Sequence, residues 1–146
     1  MMAMTVQVAR MKNLLGVIWG GMFVALGSYA GVCLVLASAP EDAASAGDTL
    51  RYALTGIAIA LGAVSLWWRG RFLSSEGPAT LADTDLRRHS IVVWGLSEAV
   101  AICGLVLGFV THAANEFVPF GLAAAALLVL HRPANLPFAR LRDPIA

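Results

Sequence analysis

The feature that most constrains this chain is a run of about 20 apolar residues, 91–110, interrupted by a single acid, Glu98, near its centre. A helix rises about 1.5 Å per residue, so a run of this length crosses the roughly 30 Å core of a bilayer. A carboxylate near the midplane costs about 2.5 kcal/mol or more, so the protein must neutralise, pair or use it. Two interpretations of Glu98 follow: a site that carries a proton or cation, or a neutral acid that hydrogen-bonds to a neighbouring helix.

The composition places the chain among integral membrane proteins. Of its 146 residues, 59% are hydrophobic and 13% are charged, whereas about 25% are charged in a typical soluble domain. The net charge of +1 argues against a nucleic-acid partner. The lipid bilayer is therefore the first partner that the sequence predicts, and the length suits a single membrane domain.

Four apolar segments predict an all-α bundle of four transmembrane helices. The spans lie at about residues 14–37, 52–68, 91–110 and 113–130. The first segment ends in Ala37-Ser38-Ala39, and a basic flank with a small-x-small end also describes a secretory signal peptide. Its apolar run of about 24 residues exceeds the usual 7–15 of such a peptide, which favours an uncleaved helix.

The basic residues predict the orientation of the bundle. The two ends of the chain and the connection between the second and third spans, which includes the polar loop at 73–90, hold nearly all of them, and the other two connections hold only Arg51. Because Lys and Arg concentrate in cytoplasmic segments, we expect both termini and that loop in the cytoplasm, in a multi-pass protein of the cell membrane. The residues counted are Arg10, Lys12, Arg69, Arg71, Arg87, Arg88, Arg132, Arg140 and Arg142.

Small residues recur in three of the spans, at four- and seven-residue spacing in the first, at every second position in the second and four residues apart in the third. Such residues let helices approach closely. We expect them to be packing positions, and they predict a homo-oligomer or an association with other membrane subunits. They are Gly16, Gly20, Gly27 and Gly31 in the first span, Gly56, Ala58, Ala60 and Gly62 in the second, and Gly104 and Gly108 in the third.

The sequence offers no pattern for a metal, a cofactor or a catalytic group. Cys33 and Cys103 each lie inside an apolar run, which indicates apolar packing. The histidines lie near segment ends without ligand spacing and are interpreted as interfacial anchors: His89, His112 and His131. Ser97 and Glu98 are adjacent, and adjacent helix residues do not face one another. We therefore expect a protein that is not an enzyme.

The middle of the chain resembles a known family. Residues 50–112 are similar to the hairpin of rotary ATP synthase subunit c, the proteolipid, which has a first helix with alternating glycines, a polar cytoplasmic loop and a second helix with a mid-membrane carboxyl. The small residues from Gly56 to Gly62 stand at the glycine repeat. Leu86-Arg87 stands at the Leu-Arg pair before the carboxylate helix, and the stretch from Glu98 to Val106 resembles the family's carboxylate stretch.

The resemblance implies an ion-translocating subunit in which Glu98 binds and releases a proton or Na⁺. The chain departs from the family in its longer loop, which lacks Arg-Gln-Pro, and in the additional span on each side of the hairpin. The alternative is a non-transporting helical subunit that packs or assembles a larger membrane complex. Glu98 would then be an interhelical hydrogen-bonding group.

Overall fold

The structure is a computed structural model that describes residues 2–37, 48–73 and 82–138. The described residues form helices and short turns with no strand, so the predicted all-α class is confirmed. The helices are α1 (Met2–Ala37), α2 (Asp48–Trp68), α3 (Asp83–Thr111) and α4 (Ala114–Leu130). α2 continues into a π-helical turn, Arg69–Leu73, and a short 3₁₀ turn, Pro133–Asn135, follows α4.

Three of these helices are long and apolar enough to cross a membrane. The qualifying segments are Val8–Val35, Asp48–Leu73 and Asp83–Thr111. α4 is also apolar but has 17 residues, which corresponds to about 25 Å. The chain reverses between α3 and α4 at His112, whose φ of 52° lies in the left-handed region.

The prediction of a polar loop at 73–90 is wrong for residues 83–90, because α3 begins at Asp83. Asp83 and Asp85 lie in the first turn, where negative charge favours a helix N-terminus. Leu86 and Ser90 are buried against the rest of the bundle, so packing extends the helix beyond its apolar run. The end of the candidate signal peptide at Ser38-Ala39, and the basic residues Arg140 and Arg142, lie outside the described residues.

α3 is the central helix of the bundle. It packs against α2, α4 and α1, and it carries the largest share of the buried residues. α2 and α4 run antiparallel to it, whereas α1 runs parallel: Leu15 belongs to the buried cluster at the Asp83 end, and Cys33 to the cluster at the Thr111 end. Trp19 Nε1 also donates a hydrogen bond of 2.8 Å to the Leu128 carbonyl, which fixes α1 on α4.

Candidate functional site around Glu98

Glu98 lies near the middle of α3, half-buried, on the side that faces α1. The hydroxyl of Tyr29 donates a hydrogen bond of 2.7 Å to its Oε1. Long side chains in a helix lean toward the N-terminus of that helix. Because α1 and α3 are parallel, the long Tyr29 side chain leans back along α3 and reaches the carboxyl.

This bond gives the carboxyl of Glu98 a partner within its own chain. An interhelical hydrogen bond of this kind contributes about 0.6–2 kcal/mol. Only Oε1 is bonded by a described residue, and Oε2 is not among the buried unpartnered atoms of the described part. One carboxyl oxygen is thus fixed and the other stays available. Tyr29 was missed by the sequence analysis, although it is the only tyrosine within the first predicted span.

Glu98 lies at a different level relative to the ends of α3 than relative to the ends of α4. The preceding residue, Ser97, has its Oγ 3.4 Å from Nδ1 of His131, and His131 directly follows α4. Glu98 therefore lies halfway along α3 but level with the end of α4.

The interpretation of His131 as an interfacial anchor is wrong, because the residue is buried, with 2% of its surface exposed. Ser97 Oγ donates to the Val93 carbonyl at 2.7 Å, so it can accept a hydrogen from His131 Nδ1. Nε2 then carries a lone pair, and it has no partner among the described residues. Burial, together with the charge of Arg69, lowers the pKa of His131 to about 4. The imidazole is therefore neutral at physiological pH.

The predicted packing residues of α3 lie at close helix contacts. A Cβ on Gly104 would be 2.5 Å from the Cβ of Phe120, and one on Gly108 would be 3.0 Å from Cys33 Sγ. On α2, Ala58 is buried and a Cβ on Gly62 would make ordinary contact with Leu127. Gly104 and Gly108 thus lie where α4, and at Gly108 also α1, comes close to α3. Ala58 and Gly62 line an open space between α2 and α4.

The glycine stripe of α1 lies elsewhere. A Cβ on any of its four members would meet no atom within 4 Å, whereas the positions of α1 that pack in the bundle are on another face. Gly56 of α2 is likewise in open space, and Ala60 is exposed. The stripe consists of Gly16, Gly20, Gly27 and Gly31. It points away from the bundle, so no helix of the described chain uses it.

The chemistry available at this site is that of one carboxyl and one phenol. Across the ranges that the structure describes, no three His, Cys, Asp or Glu side chains come together as a metal site. Cys33 and Cys103 are buried, free thiols in the same apolar cluster. Comparisons of the chain with protein-family models, with curated proteins and with solved structures found no match.

Proposed function

We propose that the chain is a four-span protein of the cell membrane with both termini and the α2–α3 connection in the cytoplasm. The distribution of basic residues supports this orientation. Arg51, near the start of α2, contacts Glu116 at 2.5 Å and Asp48 at 3.5 Å. Its charge is therefore locally balanced at the Thr111 end, which suits the outer face.

We propose that the protein functions as a helical subunit that associates with other transmembrane chains, either copies of itself or other subunits. The observation that carries this proposal is the outward glycine stripe of α1, which has open space at every member. The hydrophobic effect does not drive association between helices in lipid, because lipid tails are as apolar as the side chains. Glycines allow close van der Waals contact between helix backbones, which does favour association. A stripe unused inside the bundle is therefore a surface for another helix.

Under this proposal Glu98 has a structural role. Its bond to Tyr29 holds α1 on α3 with the glycine stripe turned outward. The carboxyl contributes as a hydrogen-bond acceptor, and its ionisation is not required. A neutral acceptor of similar shape, as in Glu98→Gln, should preserve the arrangement.

Association through the stripe is tested by enlarging one of its members. In Gly27→Leu a bulky side chain would separate the contacting helices, so the native mass in mild detergent should fall relative to the wild-type assembly. The matched control is Gly21→Leu: Gly21 is also exposed in open space, but it is about 100° around the helix from Gly20. A monomeric wild type, or equal effects of the two variants, would contradict the proposal.

The second candidate function is the proteolipid-like ion translocation that the subunit c resemblance implies. The specific observation in its favour is that Glu98 is only half-buried and that its Oε2 is not held by a described residue. A proton or Na⁺ could bind there while Tyr29 stabilises the other oxygen. This candidate requires ionisation of Glu98, so Glu98→Gln should abolish ion flux without disturbing the assembly.

A further inference from the structure

An open apolar groove separates α2 from α4 on the surface of α3. It has a volume of about 650 Å³, and Val100 of α3 forms part of its floor. Its walls include Ile59 and Leu66 of α2 and Ala123 and Leu130 of α4. Ile59 is 68% exposed, so these side chains face the surrounding membrane.

The length of the groove corresponds to one leaflet of a bilayer. It extends from Leu66 to Thr55 on α2 and from Leu130 to Pro119 on α4, eleven residue-to-residue steps along each helix. At about 1.5 Å per residue this is roughly 16 Å, or about half of the 30 Å apolar core. A transmembrane helix of a partner would require a groove about twice as long, so the length favours a single acyl chain.

Two arginines lie at one end of this groove. Arg69 directly follows α2, and Arg132 lies two residues after α4; both line a small cavity beside Leu136. Arg69 donates to the Leu130 carbonyl, and Arg132 Nε donates to Asn135 Oδ1 at 3.2 Å. A guanidinium has five N–H donors, so each arginine keeps donors for a further ligand. Neither forms a salt bridge with a described carboxylate.

We infer that the groove and these two arginines bind one anionic glycerophospholipid, with an acyl chain in the groove and the phosphate on the guanidinium groups. Guanidinium donors match the geometry of a phosphate group, and basic pockets between transmembrane helices recognise anionic headgroups. The proposal goes beyond the association function: it identifies a ligand on a different face from the α1 stripe. The lipid fills the gap between two helices that otherwise meet chiefly through α3.

The headgroup part is tested by native mass spectrometry of the full chain in detergent, titrated with phosphatidylglycerol or with phosphatidylcholine of the same acyl chains. Phosphatidylglycerol should remain bound preferentially. Loss of one arginine should weaken its binding about fivefold, as expected for one basic residue near a lipid surface. Arg132→Gln is the first variant because Arg132 is exposed and its loss should not affect folding; Arg69→Gln is the second.

The matched control is Arg71→Gln, which removes the same charge from the same π-helical turn but lies outside the groove and the cavity. It should leave phosphatidylglycerol binding within about twofold of the wild type if contact rather than net charge governs binding. Equal binding of the two lipids would overturn the headgroup site. An equal loss in Arg71→Gln and Arg132→Gln would also overturn it.

The groove part is tested by filling it. Ala63 lines the groove, whereas Ala60, one turn earlier on the same helix and also exposed, does not. Ala63→Phe should weaken phosphatidylglycerol binding, and Ala60→Phe should not. Displacement of the lipid by inorganic phosphate, or no effect of Ala63→Phe, would show that the acyl chain is not held in the groove and would overturn this part.

Discussion

The hydroxyl of Tyr29 lies 2.7 Å from Oε1 of Glu98 and joins the first helix of the bundle to the third. Much of α1 is exposed, so only one face of this helix packs against the rest of the bundle. A second polar contact between α1 and the rest of the bundle is that of Trp19 with the Leu128 carbonyl. These two bonds and the burial of Leu15 and Cys33 together fix which face of α1 packs inward and, as a consequence, which face presents the glycine stripe.

Removing the Tyr29 hydroxyl should loosen α1. We expect Tyr29→Phe to lower the free energy of unfolding by about 1 kcal/mol, because the carboxyl of Glu98 loses its donor inside the bundle. The measurement is thermal unfolding in detergent. Tyr52→Phe is the matched control, since Tyr52 is 73% exposed. Equal stability of the two variants would show that the bond contributes nothing measurable.

A methyl group at Gly104 should destabilise the contact between α3 and α4. The new Cβ would be 2.5 Å from Phe120 Cβ, an atom close to the backbone that cannot move aside without shifting α4. We expect Gly104→Ala to cost about 1–3 kcal/mol in unfolding free energy. Gly95→Ala is the control on the same helix: its Cβ meets nothing, and alanine in a helix gains about 0.5–1 kcal/mol over glycine. Opposite signs for the two variants are expected.

His131 should make the bundle sensitive to acid. Its pKa is about 4 in the folded protein against an ordinary value of 6.5, so the unfolded chain binds more protons between these values. The free energy of unfolding should therefore be unaffected above about pH 6.5 and fall as pH is lowered toward 4, by about 3 kcal/mol for this residue.

The variant that isolates this effect is His131→Asn, which keeps a donor for Ser97 but does not titrate. Denaturation midpoints across that pH range should fall less in the variant than in the wild type. Parallel pH profiles for the two proteins would contradict the assignment of a neutral, buried imidazole to the folded state.

The proposed orientation predicts which positions can be labelled from outside the cell. Asn115 is exposed at the Thr111 end, and Ala134 is exposed at the opposite end. A membrane-impermeant thiol reagent added to intact cells should label Asn115→Cys and should label Ala134→Cys only after lysis. The native thiols Cys33 and Cys103 are buried and should give little background. The reverse labelling pattern would invert the proposed topology.

The sequence predicts the helices well where long apolar runs determine them. The fourth span was expected at 113–130 and the helix is Ala114–Leu130. The sequence does not predict how far a helix extends beyond its apolar residues. The alternating charges from Asp83 to Arg88 favoured a loop, yet burial of Leu86 and Ser90 extends α3 through them.

The sequence identifies Glu98 but not the residue that bonds to it, for a physical reason. A carboxyl inside an apolar run identifies Glu98 without a structure, but its partner depends on how two distant helices are rotated and offset. Periodicity likewise identifies the glycine stripe of α1 but not its direction, because a stripe that faces a neighbouring helix and one that faces lipid have the same spacing. The burial of His131 was missed, because only the tertiary fold shows that the residue after α4 contacts Ser97.

The central claim is that Glu98 acts as an acceptor that positions α1 and not as an ion carrier. The most direct test measures native mass and proton flux on the same preparations of wild type and Glu98→Gln, with the flux recorded in sealed proteoliposomes. We predict that Glu98→Gln keeps the assembly of the wild type and does not change the flux. Loss of a wild-type proton flux in Glu98→Gln, with the assembly intact, would contradict the account and establish the carboxyl as an ion-translocating group.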